Sequence, residues 1–229
     1  MAFGFGFLTS QAGRHKTVTM RPSPRSDKPV CLKSVIVRNR QHTGDLGSLD
    51  RRRLCKMATD WTPALWSDTF AQLEEDELEH GDSWAFQFNY SLTETLTKEE
   101  RRRGWKIYCH RAYGRFRCSR CSKRWPSARA VVLFRYRLQS SLCRGTVIMR
   151  PFGQACRRCD GDFERPGFSP KVVEDVLLCL FGKIRKNCYG EEEEGDEDLG
   201  SDSSEKVWTK PHESALCEAC SQNICCQDE

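Results

Sequence analysis

Between Arg101 and Arg158 the chain contains no aspartate or glutamate, yet it carries seventeen lysines and arginines there. This cationic stretch finds its neutralising charge elsewhere in the chain or on a partner. Apolar runs are also missing. No segment approaches the roughly 20 apolar residues that span a bilayer, and the apolar Met1 to Leu8 is short, lacks a preceding basic region and leads into polar sequence, so no secretory signal is read. The chain does not end in a Cys-a-a-X box. It shows no Ser/His/Asp ordering and no phosphate-cradling glycine loop, and Gly4-x-Gly6 precedes no strand and helix. The expectation is a protein that is not an enzyme. Apolar content is low as well: 38% of the 229 residues are hydrophobic against 30% charged, which limits the core that can be buried. Fourteen cysteines are about 6% of the chain, below the roughly 8–10% of short disulfide scaffolds, so reduced thiols in a cytosolic setting are expected.

The net charge of +5 conceals strong segregation. Residues 1–56 hold twelve basic and three acidic side chains, and 57–100 hold one and eleven. The cationic stretch follows; 159–190 balances at five each, and 191–229 has two basic and thirteen acidic groups. One reading has the acidic flanks neutralising the middle within a single folded unit. The other has the middle meeting an acidic partner, nucleic acid or anionic lipid.

Composition divides the chain further. Residues 1–56 mix Gly, Ser, Pro, Arg and Thr without periodicity and read as a disordered basic extension, in which Val35-Ile36-Val37 is too isolated to build a core. Residues 57–103 supply a first helix and strand. From Thr62 to Leu78, Leu65, Trp66, Thr69, Phe70 and Leu73 fall near helical spacing with Pro63 in the first turn; Trp84 to Tyr90 alternates as a half-buried strand. Thr97 and Glu100 have capping-box spacing. Residues 104–190 hold strands predicted from Trp105 to Tyr108, Ala130 to Leu138 and Thr146 to Phe152. They are followed by a helix capped by Ser169, with Pro170 in its first turn and Val172, Val173, Val176, Leu177, Leu180, Phe181 and Ile184 in one stripe. An acidic linker, residues 191–210, leads to a cysteine cluster at 211–229. The fold class expected is α+β: a small antiparallel zinc-ribbon-like β core with an N-terminal helix and a C-terminal packing helix.

Metal, more than core, is expected to decide that fold. Cys118-x-x-Cys121 and Cys156-x-x-Cys159 lie at predicted strand ends with 34 residues between them for a hairpin. Two such turns give a tetrahedral four-thiolate Zn2+ site. A redox dithiol is disfavoured because no thioredoxin-like βαβ pattern surrounds either pair; an iron–sulfur cluster would use the same ligands. A second site draws on His212, Cys217 and Cys220, with Cys225 as fourth ligand or, alternatively, Cys188 reaching across the linker. Cys31, Cys55, Cys109, Cys143 and Cys179 lack partners at ligand spacing, and Cys179 reads as a small core residue. Around the first site, Arg115, Arg117, Arg120, Lys123, Arg124, Arg157 and Arg158, interleaved with aromatics, are candidates for a partner or for single-stranded RNA.

With those residues in hand, the stretch from about Asp60 to Cys225 resembles the receptor-transporting protein family, whose defining module is a 3CxxC-type zinc finger. The matching residues are Trp61, Trp66 and Phe70, then Arg103-Gly104-Trp105-Lys106-x-Tyr108 and Gly114-Arg115-Phe116-x-Cys118-x-x-Cys121. Next come Trp125-x-Ser127-Ala128 and Gly145-x-Val147-x-Met149-Arg150-x-Phe152-Gly153-Gln154-x-Cys156-x-x-Cys159. Cys188-Tyr189-Gly190 and His212 with Cys217-Glu218-Ala219-Cys220 complete the order. The 3CxxC-type domain as a whole corresponds to residues 110–225. The resemblance implies an accessory protein that binds seven-helix G-protein-coupled receptors of the odorant and taste type and promotes their targeting to the plasma membrane. Its alternative is an interferon-type antiviral RNA-binding role. It places the metal ligands on Cys118, Cys121, Cys156, Cys159, Cys217 and Cys220, with His212 beside the third pair. Membrane-attached relatives end in a hydrophobic segment, whereas this chain stops at Glu229 in a polar tail and the family pattern begins near Met57. Peripheral association with the cytoplasmic face of a membrane is therefore expected. In that setting Trp105, Tyr108, Tyr113, Phe116 and Trp125 on the basic sheet would meet receptor loops or the anionic leaflet.

Overall fold

The computed structural model describes residues 60–159, 161–191 and 211–224, together with Met1 and Thr209. The expectations for residues 1–56, most of the acidic linker, Cys31, Cys55 and Cys225 lie outside these residues. Helix α1, Pro63–Glu77, leads into strand β1, Ser83–Phe88, and a short helix α2, Lys98–Arg102. Strands β2, Lys106–Arg117, β3, Arg124–Gln139, and β4, Arg144–Pro151, follow, then helix α3, Pro170–Ile184. Helix α4, Glu218–Ser221, lies in the C-terminal cluster.

The four strands form one sheet in the order β1-β4-β3-β2. Pairs β2–β3 and β3–β4 are antiparallel, as a ribbon requires, while β1 joins β4 in parallel and makes the sheet mixed. Strand β2 runs nine residues beyond the predicted Tyr108. Its arginines alternate with aromatics and glycine, a pattern that hides the apolar period of two.

Strand β3 explains why the sheet has two covered faces. Ala130, Val131, Val132, Leu133 and Phe134 are each at most 1% exposed, so successive side chains are buried on opposite sides. On one face, Val132, Phe134 and Tyr136 meet α1 and α3. There Trp66 packs edge-on to Phe168 at 5.3 Å between ring centroids, and Phe70 sits 5.1 Å from Phe181. The stripe predicted on α3 is this core: Val173, Val176, Leu177, Leu180, Phe181 and Ile184 are buried, and the Ser169 hydroxyl accepts from Val172 N–H. On the other face Val131 and Leu133 are covered by Leu92, Phe152, Cys217, Ala219 and Ile224. The C-terminal cluster is thus docked on the sheet, where the sequence showed only a tether.

Arginines interrupt this second face, and the acidic flanks meet them. Arg135 donates to Glu100 Oε1 at 2.7 Å and to the carbonyls of Thr93 and Thr95. Glu100 completes the predicted capping box, and the Thr97 N–H and then the Thr97 hydroxyl hold its carboxyl below the usual range, opposed by desolvation and helped to a lesser degree by Arg135. Arg150, 6% exposed, donates to Glu218 Oε1 at 2.6 Å. Neutralisation within one folded unit therefore accounts for part of the cationic stretch.

Beyond α3 a π-helical turn, Arg185–Tyr189, ends at Gly190 with a left-handed φ of 74°. It places Tyr189 to accept from Trp84 Nε1 at 3.1 Å and donate to Asp82 Oδ2 at 2.9 Å. This relay pins the Trp84 ring flat over Gly145, where an added Cβ would lie 2.0 Å from Trp84 Cδ2. Gly145→Ala is expected to cost about 1–3 kcal/mol by overpacking, read as a lower melting temperature with loss of Trp84 fluorescence anisotropy. A Gly145→Ala protein that melts with the parent would show that the indole has room to move.

Candidate metal centre

The two turns of the first site are set by the strands that feed them. Strand β2 ends at Arg117, and Cys118 starts a tight turn in which its N–H donates to the Lys123 carbonyl at 2.8 Å. Ser122 N–H returns to Cys118 O at 2.9 Å, with Ser122 in the left-handed region at φ 57°. Cys121 N–H points at Cys118 Sγ, 3.4 Å away. The second turn follows β4, with Cys159 N–H on Cys156 O at 3.1 Å.

The four sulfurs converge. Cys118 Sγ lies 3.8 Å from Cys159 Sγ, Cys121 Sγ lies 3.8 Å from Cys156 Sγ, and all four fall within 4.8 Å of one another. A tetrahedral zinc with Zn–S of about 2.3 Å sets its sulfurs about 3.8 Å apart. The contacts cross between the two Cys-x-x-Cys pairs, and Cys118 and Cys156 are buried. Such a group cannot hold four thiolates without a cation. Burial works to raise the Cys156 thiol, but the N–H groups of Arg158 and Cys159 and the sulfurs of Cys121 and Cys118 bring it down to about 7. Cys159 is pushed up to about 12, by Cys121 first, then by burial and Cys118. A divalent metal relieves that conflict.

The third pair does not stand apart. His212 Nε2 lies 3.0 Å from Cys220 Sγ, and with Cys217 Sγ these ligand atoms fall within 4.8 Å of one another. Burial, then the nearby Arg129 and Arg111, hold His212 below the usual imidazole range, the neutral form that ligates metal. Ile224 N–H turns back to Ala219 O at 2.9 Å. Cys188, the alternative fourth ligand, is not in this group: the π turn packs it with Tyr189 against the helix-covered face, so the sheet separates it from the cluster. Cys179 is half-buried and interacts with the Tyr108 hydroxyl, at the rim of that core and not within it.

Residues 153–155 lace the three pairs together. Gln154 exchanges backbone hydrogen bonds with Glu164, both 3.0 Å, while Ala155 N–H reaches Leu216 O and Glu218 N–H reaches Gly153 O on the opposite side. Glu164 accepts from Ser119 N–H and hydroxyl in the first turn at 2.5 and 2.7 Å. Gln154 Oε1 accepts from Trp125 Nε1, and Glu218 Oε2 accepts from Gly153 N–H at 2.6 Å. Gln154, Glu164 and Glu218 were not singled out as site residues in the sequence, because each is one polar side chain whose partners lie tens of residues away.

The basic candidates form a collar around this end. Arg115, Arg117, Arg120, Arg124, Arg157 and Arg158 are exposed and Lys123 is half-buried. Two are engaged: Arg157 with Glu213 and the Pro211 carbonyl, and Arg120 with Asp162 at 3.7 Å. Of the two arrangements open to the aromatics, displayed or packed inward, the structure shows the second for Phe116, Trp125 and Tyr108. Phe116 is 0% exposed and stacks on half-buried Trp125 at 5.5 Å, Tyr108 stacks on Phe134, and Trp105 lies under Arg137. Phe116, Trp125 and Tyr108 serve the core and are not displayed as a platform.

The comparisons with known proteins agree with this geometry. The zinc-binding domain family of the 3CxxC zinc-ribbon type matches residues 111–223, which contain all three pairs. Receptor-transporting protein 4 of Homo sapiens is 33% identical over 168 residues, covering 73% of this chain and 65% of its own length. Receptor-transporting protein 4 of Mus musculus is 31% identical over 159 residues, 69% and 62%. The chain thus spans less than two thirds of these two relatives. Receptor-transporting protein 2 of Mus musculus is 32% identical over 174 residues, with 73% of each chain covered. No solved structure matches. With a zinc-binding domain built on those cysteine pairs and relatives that share most of its length, the chain belongs to the receptor-transporting protein family.

Proposed function

We propose that this chain is a zinc-folded, non-enzymatic accessory protein that binds G-protein-coupled receptors of the odorant and taste type and promotes their delivery to the plasma membrane. Its relatives are named for transporting receptors, and that is the observation that carries the reading. The metal chemistry supports it. Cys118, Cys121, Cys156 and Cys159 would close one zinc, leaving no coordination position for water or substrate, so the ion holds structure and does no catalysis. His212, Cys217 and Cys220 would hold a second, with Cys225 as the proposed fourth ligand.

Among the described residues no helix is long and apolar enough to cross a membrane. We read the association as peripheral: the arginine collar faces the anionic leaflet, where each nearby cation contributes about 1 kcal/mol and salt weakens the contact. An RNA-binding role would use the same arginines, but base stacking needs displayed rings, and Phe116, Trp125 and Tyr108 are turned inward.

Co-expression with an odorant receptor is expected to raise the receptor's surface signal severalfold. Cys118→Ser is expected to abolish the gain while the receptor's total expression is unchanged. Equal surface signal with and without the chain would reject the receptor reading. Steep, salt-sensitive RNA retention without liposome flotation would favour the nucleic-acid role.

A further inference from the structure

Strand β1 has an open side. Its ends are tied to β4 by Ser83 N–H to Cys143 O at 3.1 Å and Asn89 N–H to Met149 O at 3.0 Å. In a parallel ladder these two bonds set the alternation, so odd-numbered residues of β1 face β4 and even-numbered residues face away. On the outer side, Trp84 N–H is taken by Glu74 Oε1 at 2.9 Å. The N–H groups of Phe86 and Phe88, and the carbonyls of Trp84, Phe86 and Phe88, have no partner among the described residues.

Proteins normally blunt such an edge with lysine, proline, a bulge or a covering segment. The other edge of this sheet shows that protection: β2 carries Lys106, Arg111, Arg115 and Arg117, has an irregularity between Ala112 and Gly114, and is covered at its end by Gly167 bonded to Arg115. Ser83–Phe88 has no charge, no proline and no bulge. Its Trp84 ring is buried, and Phe86 and Phe88 pack on the core through Phe70 and Trp61, so the open edge is also held rigid.

The surroundings specify what would pair there. From Asp60 to Thr97 the chain has nine carboxylates and no lysine or arginine. Beside β1, on α1, Asp68, Glu75 and Asp76 are exposed and make no ion pair among the described residues. We propose that the outer edge of β1 accepts an extended, lysine- and arginine-rich peptide as a fifth strand of the sheet. Backbone hydrogen bonds would give affinity and the acidic helix would select charge. The chemistry rests on the edge itself. Its source, the basic cytoplasmic segments that flank membrane spans, rests on the receptor reading above.

The test uses the zinc-loaded full chain and a labelled peptide, Lys-Val-Arg-Val-Thr-Val-Lys-Val. Binding is expected to slow amide exchange at Phe86 and Phe88 by at least about tenfold. Backbone N-methylation of one alternate set of peptide residues is expected to weaken binding by about tenfold or more, while the other set is tolerated, because only one set faces β1. Glutamates in place of the cations should abolish binding, and Asp68→Lys with Glu75→Lys should weaken the cationic peptide's binding. Binding that ignores the N-methylation pattern, or leaves Phe86 and Phe88 exchange unchanged, overturns the proposal. So does protection already present without peptide: independent of concentration, it means that the chain covers its own edge, and rising with concentration, that a second copy does. Receptor surface signal is measured separately. A chain that binds the peptide but gives no surface gain keeps this inference and loses the receptor reading; a surface gain without protection does the reverse.

Discussion

Removing zinc from this protein, by chelation or by Cys156→Ser, is expected to unfold the ribbon end and to abolish most of the strand signal in circular dichroism. A structural zinc site contributes an apparent 10–16 kcal/mol or so at neutral pH, while a whole domain is stable by only about 5–15 kcal/mol. The geometry shows why the loss would spread. Strands β2, β3 and β4 all run into the two turns that carry Cys118, Cys121, Cys156 and Cys159, and residues 153–155 join those turns to the third pair. Cys143→Ser, a single thiol at the β3–β4 turn outside both clusters, provides the control and should fold as the parent does. Elemental analysis is expected to give two zinc ions per chain, falling to one in His212→Ala with the sheet intact. Zinc-free protein with an unchanged spectrum would show that the apolar core suffices and that the cysteine pairs are incidental.

The parts of the molecule readable in advance were those whose signal is local. Ser169, Pro170 and a 3.6-residue apolar stripe lie within one helix, and the capping box of Thr97 and Glu100 closes over three residues. The cysteine pairs carry their own spacing. Strand β2 was cut short because Arg111, Arg115 and Arg117 stand where a strand pattern expects apolar or neutral groups. Arg111 belongs to the second face of the sheet, whose buried charges are compensated from distant segments. Inward packing of Phe116 and Trp125 is the commoner fate of aromatics at a zinc-ribbon core; what spacing does not supply is the partner, Gln154, 29 residues beyond Trp125, which accepts the indole N–H. Docking of the C-terminal cluster brings one carboxylate to one guanidinium 68 residues away, beside the apolar contacts of Cys217, Ala219 and Ile224. Sequence spacing holds no trace of such a pair.

That pair carries the second large effect. Glu218→Ala is expected to release the C-terminal cluster from the sheet at a cost of about 3–5 kcal/mol, the penalty for leaving a buried charge without its partner. Arg150 would retain only the Leu92 carbonyl at 2.6 Å and the Gln222 amide oxygen at 3.2 Å, both uncharged, with Phe152 4.3 Å from its guanidinium. The same substitution removes the acceptor for Gly153 N–H, so the segment that laces the three pairs loses a bond at its start. Residues 211–224 would still be tied by Arg157 to Glu213 and the Pro211 carbonyl and by the backbone bonds of Leu216 and Glu218, so the damage should appear as local opening ahead of global unfolding. Amide exchange at Ala155 and Ile224 is expected to accelerate, and the zinc held with His212 should become labile, while the four-cysteine site keeps its metal. Pairing Glu218→Ala with Arg150→Met removes the orphaned charge and should recover much of the loss. Full protection of Ala155 in the single variant would mean that the cluster is held by its apolar contacts with Val131 and Phe152, and that the ion pair merely follows.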